Sequence, residues 1–273
     1  MRWLAVLALA MLPPQAVACG DDGQACTIET GEYHIALPDG WQGGPAVIHL
    51  HGYGGSGAKV AANAGFVEGF TERGYALIAP TGQRWDGAET GPRDWSVRDG
   101  LYYARADVAF LHAVLDDAVS RHGIARDKVL MTGFSRGGSM TWEVACQAPG
   151  LAAAYAPASG GFWLPEVTAC RGPVHLLHTH GFADPVVPLE GRRIPIDVGP
   201  IIQGDIWRGL TLWRGENGCR SNAADHRIDG PLWHKTWSCE EGWLELVLHG
   251  GGHSLPKGWS AMVLDWFEAR PTP

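Results

Sequence analysis

Gly133-Phe134-Ser135-Arg136-Gly137 follows the apolar run Val129-Leu130-Met131 and precedes a segment, 139–147, whose composition predicts a helix. A serine flanked by glycines at such a junction sits in a sharp strand-to-helix turn, where its hydroxyl projects above a sheet and the small neighbours let backbone pass without clash. The helix N-terminus behind it favours negative charge. This context, rather than the pentapeptide alone, marks Ser135 as a nucleophile and sets a strand–turn–helix unit at the centre of the fold.

Working outward, the same alternation recurs. Residues 46–50, Ala-Val-Ile-His-Leu, form an apolar run bounded by Gly and Pro, as a buried parallel strand requires. Strands are predicted at 33–37, 75–79, 128–132, 152–156, 174–178 and 244–248. Helices are predicted at 59–73, 105–122, 139–147, 205–214 and 259–269, with a hairpin over 225–238. Alternating strands and helices imply an α/β fold, with a mostly parallel central sheet, helices on both faces and no large lid domain. Residues 81–100 form a long polar loop rich in Gly, Asp and Trp, and a connection of that length inside a compact domain is usually functional.

The chain has 273 residues and a net charge of −8, with 45% hydrophobic residues, which suits a packed core and excludes disorder and coiled coil. It has no basic tract of the kind that neutralises phosphates, so nucleic acid is not expected as a partner. Residues 1–18 read as a signal peptide: Arg2, an apolar run from Trp3 to Leu12, and small residues ending at Ala18. That run is too short to span a bilayer, so stable membrane insertion is not expected. The expectation is therefore a leader over 1–18, one catalytic domain over 19–273 and a secreted or periplasmic protein. A lipid anchor on Cys19 is the alternative, disfavoured because Ala16 stands where lipoprotein signals usually carry Leu. The six cysteines suit an oxidising compartment and allow 15 pairings, among which sequence proximity suggests Cys19 with Cys26, Cys219 with Cys239 and hence Cys146 with Cys170.

A serine hydroxyl needs a base, and the base needs an orienting group. Asp184 follows the strand predicted at 174–178, within His180-Gly181-Phe182-Ala183-Asp184. His253 follows the last strand, after Gly250-Gly251-Gly252, a loop able to bring an imidazole over Ser135. The order Ser135, Asp184, His253 is that of α/β-hydrolases and differs from the chymotrypsin and subtilisin orders. An oxyanion needs two backbone N–H donors, and Arg136 and Tyr53 occupy the expected positions, Tyr53 in the loop His51-Gly52-Tyr53-Gly54-Gly55. His51 itself reads as structural.

With these motifs in hand, the chain resembles the polyhydroxybutyrate depolymerase and feruloyl esterase group of secreted α/β-hydrolases. The resemblance is carried by residues 51–54, 133–140, 180–188 and 251–253. It implies a catalytic Ser135, Asp184 and His253, hydrolysis of carboxylic esters without cofactor or metal, and a small-molecule or oligomeric ester as substrate. Hydroxyalkanoate oligomers or related polyesters come first, with feruloyl or acetylxylan side chains as the alternative; the oligomeric state is left open. Arg136 departs from the smaller or uncharged residue often found there, and its side chain is expected to shape acyl or leaving-group preference. Nothing in the chain is long enough for the appended substrate-binding domain common among polymer-degrading relatives. Among 13 Trp, Trp95 and Trp163 are the substrate-binding candidates, whereas Trp207, Trp213 and Trp266 fall at helical spacing and read as core.

The sequence admits two other readings. His178-Thr179-His180 could place two imidazoles on one strand face as metal ligands, but no third ligand stands at ligand spacing. A catalytically silent binding protein is the other, against which the intact triad argues.

Overall fold

The computed structural model describes residues 19–20, 23–85, 88–97, 103–195, 201–220 and 224–270. The leader expected over 1–18 and parts of the 81–100 loop lie outside the described residues.

The chain runs β1 (Cys26–Ile28), β2 (Gly31–Ala36), β3 (Gly44–Leu50), α1 (Gly57–Ala61), α2 (Ala64–Thr71), β4 (Ala76–Pro80), α3 (Asp107–His122), β5 (Ile124–Phe134), α4 (Arg136–Gln147) and β6 (Ala154–Ala158). It continues through β7 (His175–Gly181), β8 (Arg192–Ile194), β9 (Ile201–Gln203), α5 (Ile206–Glu216), β10 (Ala224–Asp229), β11 (Leu232–Trp237), β12 (Trp243–His249) and α6 (Trp259–Glu268). Ten strands form one sheet in the order β1-β2-β4-β3-β5-β6-β7-β12-β11-β10, and β8 pairs with β9 apart from it. The six central strands, β4 to β12, pair in parallel, and antiparallel strands close both edges.

Side-chain alternation along these strands builds two cores. Ile48, Leu50, Met131, Leu176 and Leu246 face the α3, α4 and α5 layer with Leu111, Met140 and Trp213. Val47, Leu130, Leu177 and Val247 face α2 and α6, against Phe70, Trp259 and Leu264. Every central strand is thus apolar on both faces, which is why those segments read as continuous hydrophobic runs.

Several expectations shift. The helix predicted at 59–73 is two helices, because Asn63 caps the second by accepting from the Phe66 amide. The helix predicted from residue 139 begins at Arg136, immediately after the serine. Trp213 and Trp266 are buried as expected, whereas Trp207 is 38% exposed on the outer face of α5 and is not core. Cys19–Cys26, Cys146–Cys170 and Cys219–Cys239 are disulfide-bonded, the pairing that proximity suggested. Strand β1 and the antiparallel pair β8 and β9 correspond to no segment predicted from the sequence.

Candidate active site

Parallel strands deliver their carboxyl ends to one edge of the sheet, the usual position of a site in an α/β fold. Ser135 follows β5 and begins the turn into α4 with φ 58° and ψ −120°, a conformation rarely adopted by a residue with a side chain. The flanking glycines make this turn possible. A Cβ on Gly137 would lie 1.9 Å from the Leu50 carbonyl oxygen, and one on Gly133 would lie 2.3 Å from that of Gly137. Neither position can take any other residue without moving backbone.

The turn brings together three side chains from separate strand ends. His253 Nε2 lies 2.9 Å from Ser135 Oγ, and its Nδ1 lies 2.8 Å from Asp184 Oδ2. The other Asp184 oxygen, Oδ1, accepts from the Val186 and Val187 amides, both at 2.8 Å. Burial alone would raise the Asp184 pKa. The hydrogen bonds from those amides and from His253 outweigh it and hold the carboxyl below its ordinary range. A carboxylate at Nδ1 fixes the tautomer with a proton there, so Nε2 presents a lone pair to the serine hydroxyl.

A hydrogen-bonded chain supports Asp184 from below. The Trp142 indole donates to His178 Nδ1 at 3.2 Å, so His178 carries its proton on Nε2 and donates to His180 Nδ1 at 2.9 Å. His180 Nε2 in turn donates to the Val187 carbonyl at 2.8 Å. Burial lowers the pKa of both imidazoles, helped at His178 by the neighbouring His180 ring and at His180 by His253 and His249. His178 and His180 stand two residues apart on β7, on one strand face as the metal reading required, but their four nitrogens are already engaged.

The His51–Gly55 loop lies against the serine: a Cβ on Gly52 would sit 3.3 Å from Ser135 Cβ. His51 donates from Nδ1 to the Gly52 carbonyl at 2.7 Å and accepts from the Gly82 amide at 2.9 Å, so both nitrogens serve the scaffold. Among the described residues, neither the Tyr53 nor the Arg136 amide donates to a backbone carbonyl. Both residues line the cavity that opens beside Ser135.

That cavity holds about 320 Å³ and is mainly apolar, with Tyr53, Trp85, Val97, Trp163, Val187 and Ile201 among its walls. Trp163 therefore stands where a substrate contact was expected, its indole donating to Ser139 Oγ at 3.0 Å. Trp95 does not. It is fully buried, and its Nε1 donates to the His51 carbonyl at 2.8 Å, so it props the loop from beneath instead of facing the cavity. The sequence placed Trp95 in the correct loop but could not tell which face of that loop is inward. The Arg136 side chain is also committed, with Nε 2.6 Å from Asp94 Oδ1 and Nη2 donating to the Trp95 carbonyl at 2.9 Å. Tyr103 donates to the other oxygen of Asp94. Asp94, Tyr103 and the β8–β9 residues Ile194 and Ile201 are cavity walls that no sequence motif signalled.

The chain is similar to known esterases. The profile of the family described as Phospholipase/Carboxylesterase matches residues 104–194. "Putative esterase NocK" of Nocardia uniformis subsp. tsuyamanensis is 29% identical over 240 residues, covering 82% of this chain and 68% of the relative. "Probable feruloyl esterase C" of Aspergillus niger is 25% identical over 239 residues, covering 81% and 76%. Among solved structures, an acetyl xylan esterase from Aspergillus awamori superposes with a TM-score of 0.65 at 15% identity, covering 90% of this chain and 98% of that one. The Bacillus cereus carboxylesterase does so at 0.56 and 13% identity, covering 86% and 92%. The chain has the α/β-hydrolase fold, and it is an esterase of that superfamily with feruloyl-esterase-like relatives.

Proposed function

We propose that this chain is a serine esterase in which Ser135 is the nucleophile, His253 the general base and acid, and Asp184 the group that orients His253. The observation that carries the reading is the single imidazole hydrogen-bonded to both Ser135 Oγ and Asp184 Oδ2. His253 takes the hydroxyl proton as Oγ attacks the ester carbonyl, and the Tyr53 and Arg136 amides hold the resulting oxyanion. The C–O bond to the alcohol then breaks, with His253 returning the proton to the leaving oxygen. Water, activated by the same imidazole, releases the acid from Ser135 by the reverse sequence.

The substrates are esters of aromatic or extended apolar acids, feruloyl esters first. The relatives' names and the aromatic, apolar cavity beside Ser135 support this choice, since an acetyl group would leave most of about 320 Å³ empty. Hydroxyalkanoate oligomers are the second reading, supported by the resemblance that residues 51–54, 133–140, 180–188 and 251–253 carry to the polyhydroxybutyrate depolymerase and feruloyl esterase group. The mature protein is one domain from Cys19 onward, exported through the leader over 1–18; three disulfides suit that destination.

The test is hydrolysis of p-nitrophenyl acetate, butyrate and octanoate, methyl ferulate and a soluble hydroxybutyrate oligomer, with Ser135→Ala as the blank. Wild-type turnover of methyl ferulate above that of the short acyl esters, abolished in the variant, is expected. Activity retained in Ser135→Ala overturns the assignment.

A further inference from the structure

We infer that His180 is a positioning residue for the ester hydrolysis: its Nε2–H holds the Val187 carbonyl, and through Val187 it sets the turn that aims the Asp184 carboxylate at His253. The inference rests on the reading of Ser135, His253 and Asp184 as the triad.

Val187 works in two directions. Its carbonyl accepts from His180 Nε2 at 2.8 Å, and its amide donates to Asp184 Oδ1 at 2.8 Å. One end of the Asp184 loop is fastened to the loop of the base: the Phe182 amide donates to the His249 carbonyl at 2.8 Å, and that of Ala183 to the Gly251 carbonyl at 3.1 Å. His180 fastens the other end. Among the described residues no backbone amide donates to the Val187 carbonyl, so the imidazole is what fixes it. His180 Nε2 also stands 3.7 Å from Asp184 Oδ2, too far for a hydrogen bond. That oxygen is therefore left to His253 Nδ1, at 2.8 Å.

Only one tautomer of His180 can do this. With the proton on Nδ1, the Nε2 lone pair would face the Val187 carbonyl at 2.8 Å and the Asp184 carboxylate at 3.7 Å, and would repel both. The chain behind the ring selects the other form. The Trp142 indole has a proton to give and no lone pair to offer, so it makes His178 Nδ1 an acceptor and His178 Nε2 the donor to His180 Nδ1. Trp142 lies on α4, the helix that starts at Arg136, so the chain ties the helix behind the nucleophile to the turn of the acid. The titratable groups that face His180 are His178, Asp184, His253 and His249. His178 and His180 are both fully buried, and burying two imidazoles costs desolvation that an apolar pair would avoid. Packing alone would be served at lower cost by apolar side chains; holding a carbonyl in one direction needs the N–H.

The test compares His180→Gln with His180→Met on whichever ester of the panel above wild type turns over fastest. Gln offers an N–H and a carbonyl oxygen where the neutral imidazole offers an N–H and a lone pair, so it can keep both bonds; Met fills similar space and keeps neither. The conservative His180→Gln should lose less than about threefold in kcat, whereas His180→Met should lose about tenfold or more with KM within about twofold of wild type. In His180→Met a loosened carboxylate stabilises the His253 imidazolium less, so the acid limb of kcat/KM should also move to lower pH, by about half a unit or more. Neither KM nor the position of that limb depends on how much enzyme is folded, so a mere loss of stability would leave both unchanged. An unmoved limb in His180→Met, a loss carried by KM, or equal losses in the two variants overturns the proposal. Should His180→Met fail to fold, the wild type still decides. NMR of nitrogen-labelled histidine, with the His180 ring identified by its absence in His180→Gln, should show the proton on Nε2, and a proton on Nδ1 instead overturns the proposal. Kinetics are taken only on turnover that Ser135→Ala abolishes, so failure of the triad reading appears separately, as turnover that survives in that variant.

Discussion

The Arg136 guanidinium lies over the face of Trp163, 4.4 Å from the ring centroid, while its Nε bonds Asp94 Oδ1 at 2.6 Å. The residue after the nucleophile therefore joins the loop carrying Asp94 and Trp95 to the loop carrying Trp163 and fixes the cavity between them. Asp94 is buried and the Arg136 side chain is 11% exposed, so Arg136→Met should destabilise the protein by about 3–5 kcal/mol by leaving the Asp94 carboxylate without its cation. Asp94→Asn added to Arg136→Met should recover part of that loss. Urea unfolding of the two variants beside wild type measures it; equal stability of Arg136→Met and wild type would show the pair to be energetically idle.

Asp184→Asn should lower kcat by roughly 10³–10⁴, because an amide in place of the carboxylate no longer enforces the proton on His253 Nδ1. KM should change little, since Asp184 lies behind the imidazole, away from the cavity. Steady-state kinetics on methyl ferulate, with circular dichroism as a check on folding, decides it. A drop in kcat of less than tenfold would remove Asp184 from the triad.

Stability should fall between pH 7 and pH 5. Burial lowers the His49 pKa to about 3 and that of His51 to about 4, and it also lowers those of His178 and His180. In the unfolded chain each takes up a proton near pH 6.5, which the folded protein cannot accommodate. The stabilisation is therefore complete above that value and is lost as pH falls toward the folded pKa values. At pH 5 the loss is about 2 kcal/mol for each of His49 and His51. Thermal melts across this range should show a falling Tm, and a Tm that rises on acidification would contradict the neutral assignment.

Cys219 and Cys239 stand 20 residues apart and tie the end of α5 to the start of the β11–β12 connection. Replacing both with Ser should cost about 3 kcal/mol, mostly by freeing the unfolded chain. Denaturant unfolding of the double variant measures this directly. The triad lies at the opposite ends of the strands, so the specific activity of the folded fraction should not change.

The sequence by itself determined the α/β class, the strand–serine–helix turn and the identity of the three residues that converge. Ser135, Asp184 and His253 each follow an apolar strand whose pattern is local, and parallel strands necessarily bring their carboxyl ends to one edge. The two glycines around Ser135 were readable for the same reason: backbone passing within 2.3 Å of a would-be Cβ admits nothing larger. What tertiary structure alone decided was orientation and partnership over long separations. Trp95 and Trp163 look alike in sequence, yet one is turned under the His51 loop and the other into the cavity, since that choice depends on the Arg136–Asp94 contact spanning 42 residues. The β8–β9 wall and the Trp142–His178–His180 chain were unreadable because each is formed by side chains from segments that meet only after the sheet has assembled.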